Sequence, residues 1–400
     1  MAADLHLPHQ LAAAYETLTA QCHCKSVHFT VNVPTSALPL PVHLCHCSIC
    51  RQTHGTLCCF HAPLPKGVEP EFVSPSSVES SLTGYIHSDK AASERFFCTT
   101  CGCHIGDRDL RPDPDTGKPE WRIATSIFNP QDEATFQIRS HVFTDPSTEP
   151  NLATWLPSIG SRAIHVWNPS PDDPNFPLAS SNPPAPDVND DVLLAQCHCA
   201  GVRFTIPRPS SHEASDPFLS RYLRAGPTPS PSDGPSSRAT GPSALKRVAC
   251  LCLCADCRLV SGAHAVPWTF VPLSVLRPQI PAGLEGFGTM RVYCSSEKVR
   301  RTFCGTCGAT VFFVLDDEER VPSEEKRIVD VAVGLLRGKD GRVAVEEWVT
   351  WRTGRLAGMG TGREYDGGFA KALTEGLGKW AEQRYGGRVE FNIPQDPQSQ

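Results

Sequence analysis

With 400 residues, 40% of them hydrophobic, the chain exceeds one ordinary compact domain, and two domains are expected. A net charge of −6 counts against a general nucleic-acid binder, which needs a basic face to displace counterions, so direct nucleic-acid binding is not expected. No stretch approaches the roughly 20 apolar residues that span a bilayer, and MAADLHLPHQLAAAYETL has neither the basic nor the apolar region of a secretory signal. No membrane partner and a cytoplasmic or nuclear, non-secreted address follow as expectations. In such a reducing compartment cysteines more often bind metal than pair, and an odd count of 19 suits a disulfide framework poorly.

In chain order, residues 1–19 read as a lead-in, with LAAAYETL forming one or two helical turns. A first unit, 20–166, opens with QCHCKSVHFTVNV, whose alternation places Val27, Phe29, Val31 and Val33 on one face of a strand. VHLCHCSICRQTHG and RFFCTTCG follow, then strand-like WRIATSIF and FQIRSHVFT. The Pro-rich stretch 167–190 reads as a linker. A second unit, 191–390, opens in the same way with QCHCAGVRFTI, placing Val202, Phe204 and Ile206 on one face. Residues 207–246 are rich in Pro, Ser and Gly and read as a disordered surface insertion. Beyond them come ACLCLCADCRLVSG, MRVYCSS, RTFCGTCG, IVDVAVGLL and VAVEEWVTW, a helix in GGFAKALTEGLGKWAEQRYG, and a polar tail, 391–400. Short strands dominate, so the coarse class is all-β, small and metal-stapled, present twice.

Fourteen of the 19 cysteines repeat one pattern: Cys22, Cys24, Cys45, Cys47, Cys50, Cys98 and Cys101, then Cys197, Cys199, Cys252, Cys254, Cys257, Cys304 and Cys307. The step from Cys50 to Cys98 is 48 positions and that from Cys257 to Cys304 is 47. In a strand, residues i and i+2 face one side, so C-x-C offers two sulfurs to one ion. C-x-x-C at a tight turn does the same, and Gly102 and Gly308 let that turn close. Cys22, Cys24, Cys98 and Cys101, and likewise Cys197, Cys199, Cys304 and Cys307, would each make a closed, structural four-thiolate zinc site. Cys45, Cys47 and Cys50, and Cys252, Cys254 and Cys257, would then be three-ligand sites with one position free for an incoming thiol. A triplet completed by a flanking cysteine is the other arrangement that the spacing allows.

QCHC, CHCSICR with CLCADCR, and RFFCTTCG with RTFCGTCG resemble the family of glutathione-dependent formaldehyde-activating enzymes and centromere protein V. The resemblance covers about 20–150 and 192–355. It implies an all-β fold of two zinc-stapled, Mss4-like small β domains in tandem, with a structural and a labile Zn2+ site in each. It also implies a carbon–sulfur lyase-like activity that joins glutathione, or a similar small thiol, to a small carbonyl such as formaldehyde, or releases it. The catalytic residues would be Cys45, Cys47, Cys50, Cys252, Cys254 and Cys257. Two readings from other classes stand beside this one: a non-catalytic zinc scaffold for protein or chromatin partners, and a zinc or redox thiol switch.

Arg51 and Arg258 each follow the last cysteine of a triplet and are candidates to hold a substrate carboxylate, against the plainer reading of solvated arginines. Arg95 and Arg301 read as structural, His46 should point away from the metal, and no catalytic role falls to His23 or His198. His54 and His264 are candidate proton shuttles at unequal offsets from their triplets. Cys58, Cys59, Cys103, Cys250 and Cys294 lack counterparts and read mostly as small buried hydrophobes, with Cys250 also an alternative partner for the three-ligand site. Phe60 is the rough counterpart of Trp268. If only one unit is active, the first is favoured, being nearer the family pattern around its triplet.

Overall fold

The computed structural model describes residues 14–129, 132–145, 148–170, 191–226, 245–317, 322–338 and 342–394. Among these the chain is mostly β, with one long helical segment, Met359–Tyr385, near its end. Each half holds a three-stranded sheet and a larger, eight-stranded one. The all-β, twice-repeated architecture expected from the sequence is therefore present.

The opening strands bury the faces that alternation selects. Val27, Phe29, Val31 and Val33 are each 0% exposed, and Val202, Phe204 and Ile206 are buried equally well. The strand before each triplet anchors the larger sheet. Leu40–Cys45 pairs antiparallel with Cys59–Pro63 and parallel with Phe136–Val142. Leu245–Cys252 pairs antiparallel with Val266–Pro272 and parallel with Val349–Trp351.

The two halves are not beads on a string. His23 donates its backbone N–H to Leu259 O, and His198 donates its own to Gln52 O, so the halves exchange the same bond in both directions. The side chains repeat the exchange: His23 Nδ1 lies 2.7 Å from Tyr293 Oη, and His198 Nδ1 lies 2.7 Å from Tyr85 Oη. Gly55 and Gly262, both in the left-handed region (φ +73° and +75°), end the short helices after the triplets. A Cβ on Gly55 would lie 2.3 Å from Thr310 O, and one on Gly262 2.4 Å from His104 O. These reciprocal contacts are those of a pseudo-twofold dimer written in one chain. Buried residues of both halves form one continuous core.

The helix Met359–Tyr385, kinked at Asp366, reaches back over the first half. Trp380 packs at 5.5 Å from Trp155, and Trp155 at 5.0 Å from Trp351. The expected helix over 367–386 is the later part of this segment, with Gly386 as its C-cap.

Three sequence expectations are corrected. Tyr15–Gln21 is a strand paired to His28–Pro34, not the end of a helical lead-in, because its residues complete a ladder with the first buried strand. Within 207–246, Ser211–Ser215 is a helix and Leu223–Ala225 a strand against Leu245–Cys252. The order comes from a capping box between Ser210 and Glu213, and from the buried Glu213–Arg247 pair at 3.0 Å. Residues 227–244, like most of the 167–190 linker, lie outside the described residues. Of VAVEEWVTW only Val349–Trp351 is a strand.

Candidate metal and thiol site

The flanking pairs of each half converge. The sulfurs of Cys22, Cys24, Cys98 and Cys101 all lie within 4.8 Å of one another, as do those of Cys197, Cys199, Cys304 and Cys307. Sulfurs at the corners of a tetrahedron with metal–sulfur bonds of about 2.3 Å stand about 3.8 Å apart. Here Cys22 and Cys24 are 3.5 Å apart, Cys22 and Cys98 3.8 Å, and Cys199 and Cys304 3.4 Å. Donor chemistry and spacing therefore fit a tetrahedral thiophilic metal such as zinc.

Gly102 and Gly308 close the C-x-x-C knuckles at φ +78° and +79°, each donating its N–H to the carbonyl of the first cysteine. Their missing side chains serve a second purpose: a Cβ on Gly102 would strike Phe303, and one on Gly308 would strike Phe97. The structural knuckles thus also meet at the pseudo-twofold.

The triplets gather separately. Cys45, Cys47 and Cys50 form one mutual set within 4.8 Å, and Cys252, Cys254 and Cys257 another. The local cause is the same in both. A strand ends at the first cysteine, and the second caps a short helix by accepting the N–H of the third, at 3.4 Å in the first half and 3.3 Å in the second. Two sulfurs from a strand end and one from the first helical turn thereby face a common point. The partition into four plus three is the one that the geometry makes, rather than a triplet completed by a flanking cysteine.

The arginines divide differently from the expectation. Arg51 is buried, its Nε donating to His46 O at 3.2 Å. Arg258 is buried against the other half, donating to Ser126 O and stacking 3.6 Å over the ring of Tyr365. The guanidinium groups hydrogen-bonded to a triplet sulfur are those of Arg95, 3.9 Å from Cys50 Sγ, and Arg301, 3.4 Å from Cys257 Sγ. The sequence pattern alone marks these two as structural. Their signal was present: both stand three positions before the knuckle's first cysteine, at the same point in each copy. Each is carried by the strand that ends in that knuckle.

The electrostatics follow. The Cys50 thiol is held well below the usual thiol range by hydrogen bonds from Cys45, Cys47 and Cys59, with the Arg95 charge adding to them. Cys257 is held down likewise by Cys252 and Cys254, aided by Arg301. Behind Arg95, Asp107 accepts from His61 at 3.0 Å and from Arg122 at 2.6 Å. Burial alone would raise its carboxyl; the His61 hydrogen bond and the Arg122 charge bring it to about 2.

Among the histidines, His46 Nε2 sits 2.9 Å from His141 Nδ1 in a buried pair. His54 stacks on His104 at 3.7 Å, and burial keeps both neutral, His104 at about 3. His264 faces the first half, stacked 4.5 Å from Phe60 and 3.0 Å from Thr125 Oγ1. His54 and His264 therefore occupy unrelated surroundings. In ladder register Trp268 matches His61 rather than Phe60, since each is the residue two after the partner of the first triplet cysteine. Of the unmatched cysteines, Cys58, Cys59, Cys103 and Cys250 are buried and Cys294 is exposed. No described helix is long and apolar enough to cross a membrane.

No curated protein and no solved structure matches the chain. A family model described as glutathione-dependent formaldehyde-activating enzyme matches twice, over residues 17–145 and 239–350. The second match begins downstream of Cys197 and Cys199, late in the long spacer that separates them from Cys252. With two matched regions that together span more than half its length, and the same cysteine geometry in each half, the chain belongs to the glutathione-dependent formaldehyde-activating enzyme family as a tandem pair.

Proposed function

We propose that the protein is a zinc-thiolate enzyme that takes up glutathione or a similar small thiol and promotes its addition to a small carbonyl such as formaldehyde, or the reverse cleavage. The observation that carries this reading is the pairing of each three-thiol set with an arginine on its third sulfur, half-buried Arg95 in the first and buried Arg301 in the second. Zinc held by a triplet would supply a Lewis acid and lower the pKa of an incoming thiol.

The chain's own residues do the rest. Cys45, Cys47 and Cys50, with Cys252, Cys254 and Cys257, hold the metal and leave one side for the substrate thiol. Arg95 and Arg301 balance the thiolate charge and present N–H donors where a substrate carboxylate or a developing alkoxide would lie. In the forward reaction the thiol sulfur bonds to the carbonyl carbon, the C=O π pair moves to oxygen, and the thiol proton ends on that oxygen. Rate comes mainly from bringing two small partners together. Such a site needs a pool of free thiol, which favours a reducing compartment, cytoplasmic or nuclear.

The test is to titrate the zinc-loaded full chain with glutathione, counting metal per chain, and to follow S-hydroxymethylglutathione from labelled formaldehyde by NMR. Saturable binding that perturbs about half of the zinc or less is expected, because only the triplet sites respond. Cys47→Ser combined with Cys254→Ser should abolish both binding and product. Absence of binding at millimolar glutathione overturns the reading.

A further inference from the structure

The first triplet has a fourth thiol directly across the sheet from its first cysteine, where the second triplet has a valine. Cys45 and Cys59 are direct partners across antiparallel strands, so their side chains rise on the same face of the sheet. Cys59 is 2% exposed, and its thiol interacts with those of both Cys45 and Cys50. In the second half the same register sets Cys252 opposite Val266, which offers no ligand atom. Cys59 is thus no stray buried cysteine: it stands where a fourth donor would approach the triplet.

We propose that Cys59 is an internal fourth ligand of the first triplet, taking the coordination position that the second half leaves to an outside thiol. The proposal rests on zinc being held by the triplets, as in the function above. Only Cys45, Cys47 and Cys50 lie within 4.8 Å of one another, so recruitment draws Cys59 toward the metal. A thiol tethered on the neighbouring strand competes at an effective concentration of roughly millimolar or more. Glutathione must therefore displace a built-in ligand at the first site, whereas at the second the same ladder position is held by Val266. Such a site is closed at rest, and the exchange-competent site belongs to the second half. This reverses the preference for the first half that the sequence pattern suggested.

The experiment counts zinc released quickly from the full-length zinc protein to the chromophoric chelator 4-(2-pyridylazo)resorcinol. Four-thiolate sites release slowly and three-thiolate sites quickly, so wild type should give up about one zinc per chain in the fast phase, Cys59→Val about two, and Val266→Cys about none. Valine is what the second half carries at this position, and Cys59→Ser keeps the smaller size should the valine variant fail to fold. A fast phase equal in wild type and in the folded Cys59 variants overturns the proposal. The combined Cys47→Ser and Cys254→Ser variant separates the two readings. Loss of about two zinc ions from it, with Cys59 variants like wild type, sinks only the fourth-ligand proposal. An unchanged zinc count removes zinc from the triplets and both readings with it.

Discussion

The two triplets share a frame but differ in what surrounds it. Each ends a strand, caps a short helix and has a guanidinium on its third sulfur. Around the first are the His46–His141 pair, stacked His54 and His104, and Cys59. The matching positions in the second are Leu253 and Leu356, Ser261 and Thr310, and Val266. The second half also places a buried Asp330 beside Arg301, its carboxyl raised well above the usual range by burial. Where Arg122 holds Asp107 ionised in the first half, the same ladder position holds this acid in the second. Metal spacing and the pseudo-twofold contacts thus tolerate little change, whereas the shell behind each triplet changes freely and can set different chemistry.

The largest expected effect erases the comparison altogether. Cys98→Ser or Cys304→Ser breaks a four-thiol set, and a metal held there would supply on the order of several kcal/mol of folding energy or more. Because the halves share one core, either variant should lose the near-UV circular dichroism of both halves in a single step. A variant that melts in only one half would break the one-core description.

Next comes the contact between the halves. Gly55→Ala should cost about 3 kcal/mol or more in urea denaturation, since a left-handed L-residue loses about 1–2 kcal/mol and its Cβ also meets the Thr310 carbonyl at 2.3 Å. Gly386→Ala, at φ +77° with nothing within 4 Å, should cost only the conformational part, about 1–2 kcal/mol. Equal losses would show that the interface does not constrain Gly55.

Activity sharpens the comparison further. If Cys59 closes the first site as proposed, Cys254→Ser should remove most glutathione-dependent product formation and Cys47→Ser much less. Arg301→Met should lower kcat on the order of a hundredfold, and Arg95→Met far less. The opposite order would assign the chemistry to the first half.

The smallest effect is acid sensitivity. His46 is held low by burial, and His141 is brought by burial to about 4. In the unfolded chain both would take a proton below about pH 6.5. Between that pH and about 4 the unfolded state binds more protons, so stability is full above about 6.5 and falls as pH falls. Changing His46 and His141 together to Leu, the pair that the second half carries, should flatten the slope by about 1 kcal/mol per histidine between about pH 7.5 and about pH 5.5. Urea midpoints at the two pH values check it.

Much of this was legible in the sequence, for a physical reason. Metal ligands must lie at short, fixed spacings, so Cys22, Cys24 and the C-x-x-C knuckles announce themselves, and period-two burial announces Val27 to Val33. What the sequence hid depends on pairing between distant strands. Cys59 becomes a neighbour of Cys45 only through a ladder register, and Arg95 reaches Cys50 across 45 positions. The segment 207–246 reads as too poor in apolar residues to order, yet over 207–226 the buried Glu213–Arg247 pair and the burial of Leu219, Tyr222 and Leu223 hold it in place. Composition cannot show a partner that lies 34 residues away.

The fusion of both halves into one chain has a consequence for what substitutions can do. In a dimer of identical subunits every change near the axis is made twice, and a residue that suits one side is imposed on the other. Here Gly102 can face Phe303 while Gly308 faces Phe97, and His264 can lie on Phe60 although the matching positions are Leu57 and Pro267. One chain therefore keeps the mutual support of a twofold pair and escapes its symmetry, so one half can serve as a stable platform for a partner that is free to specialise.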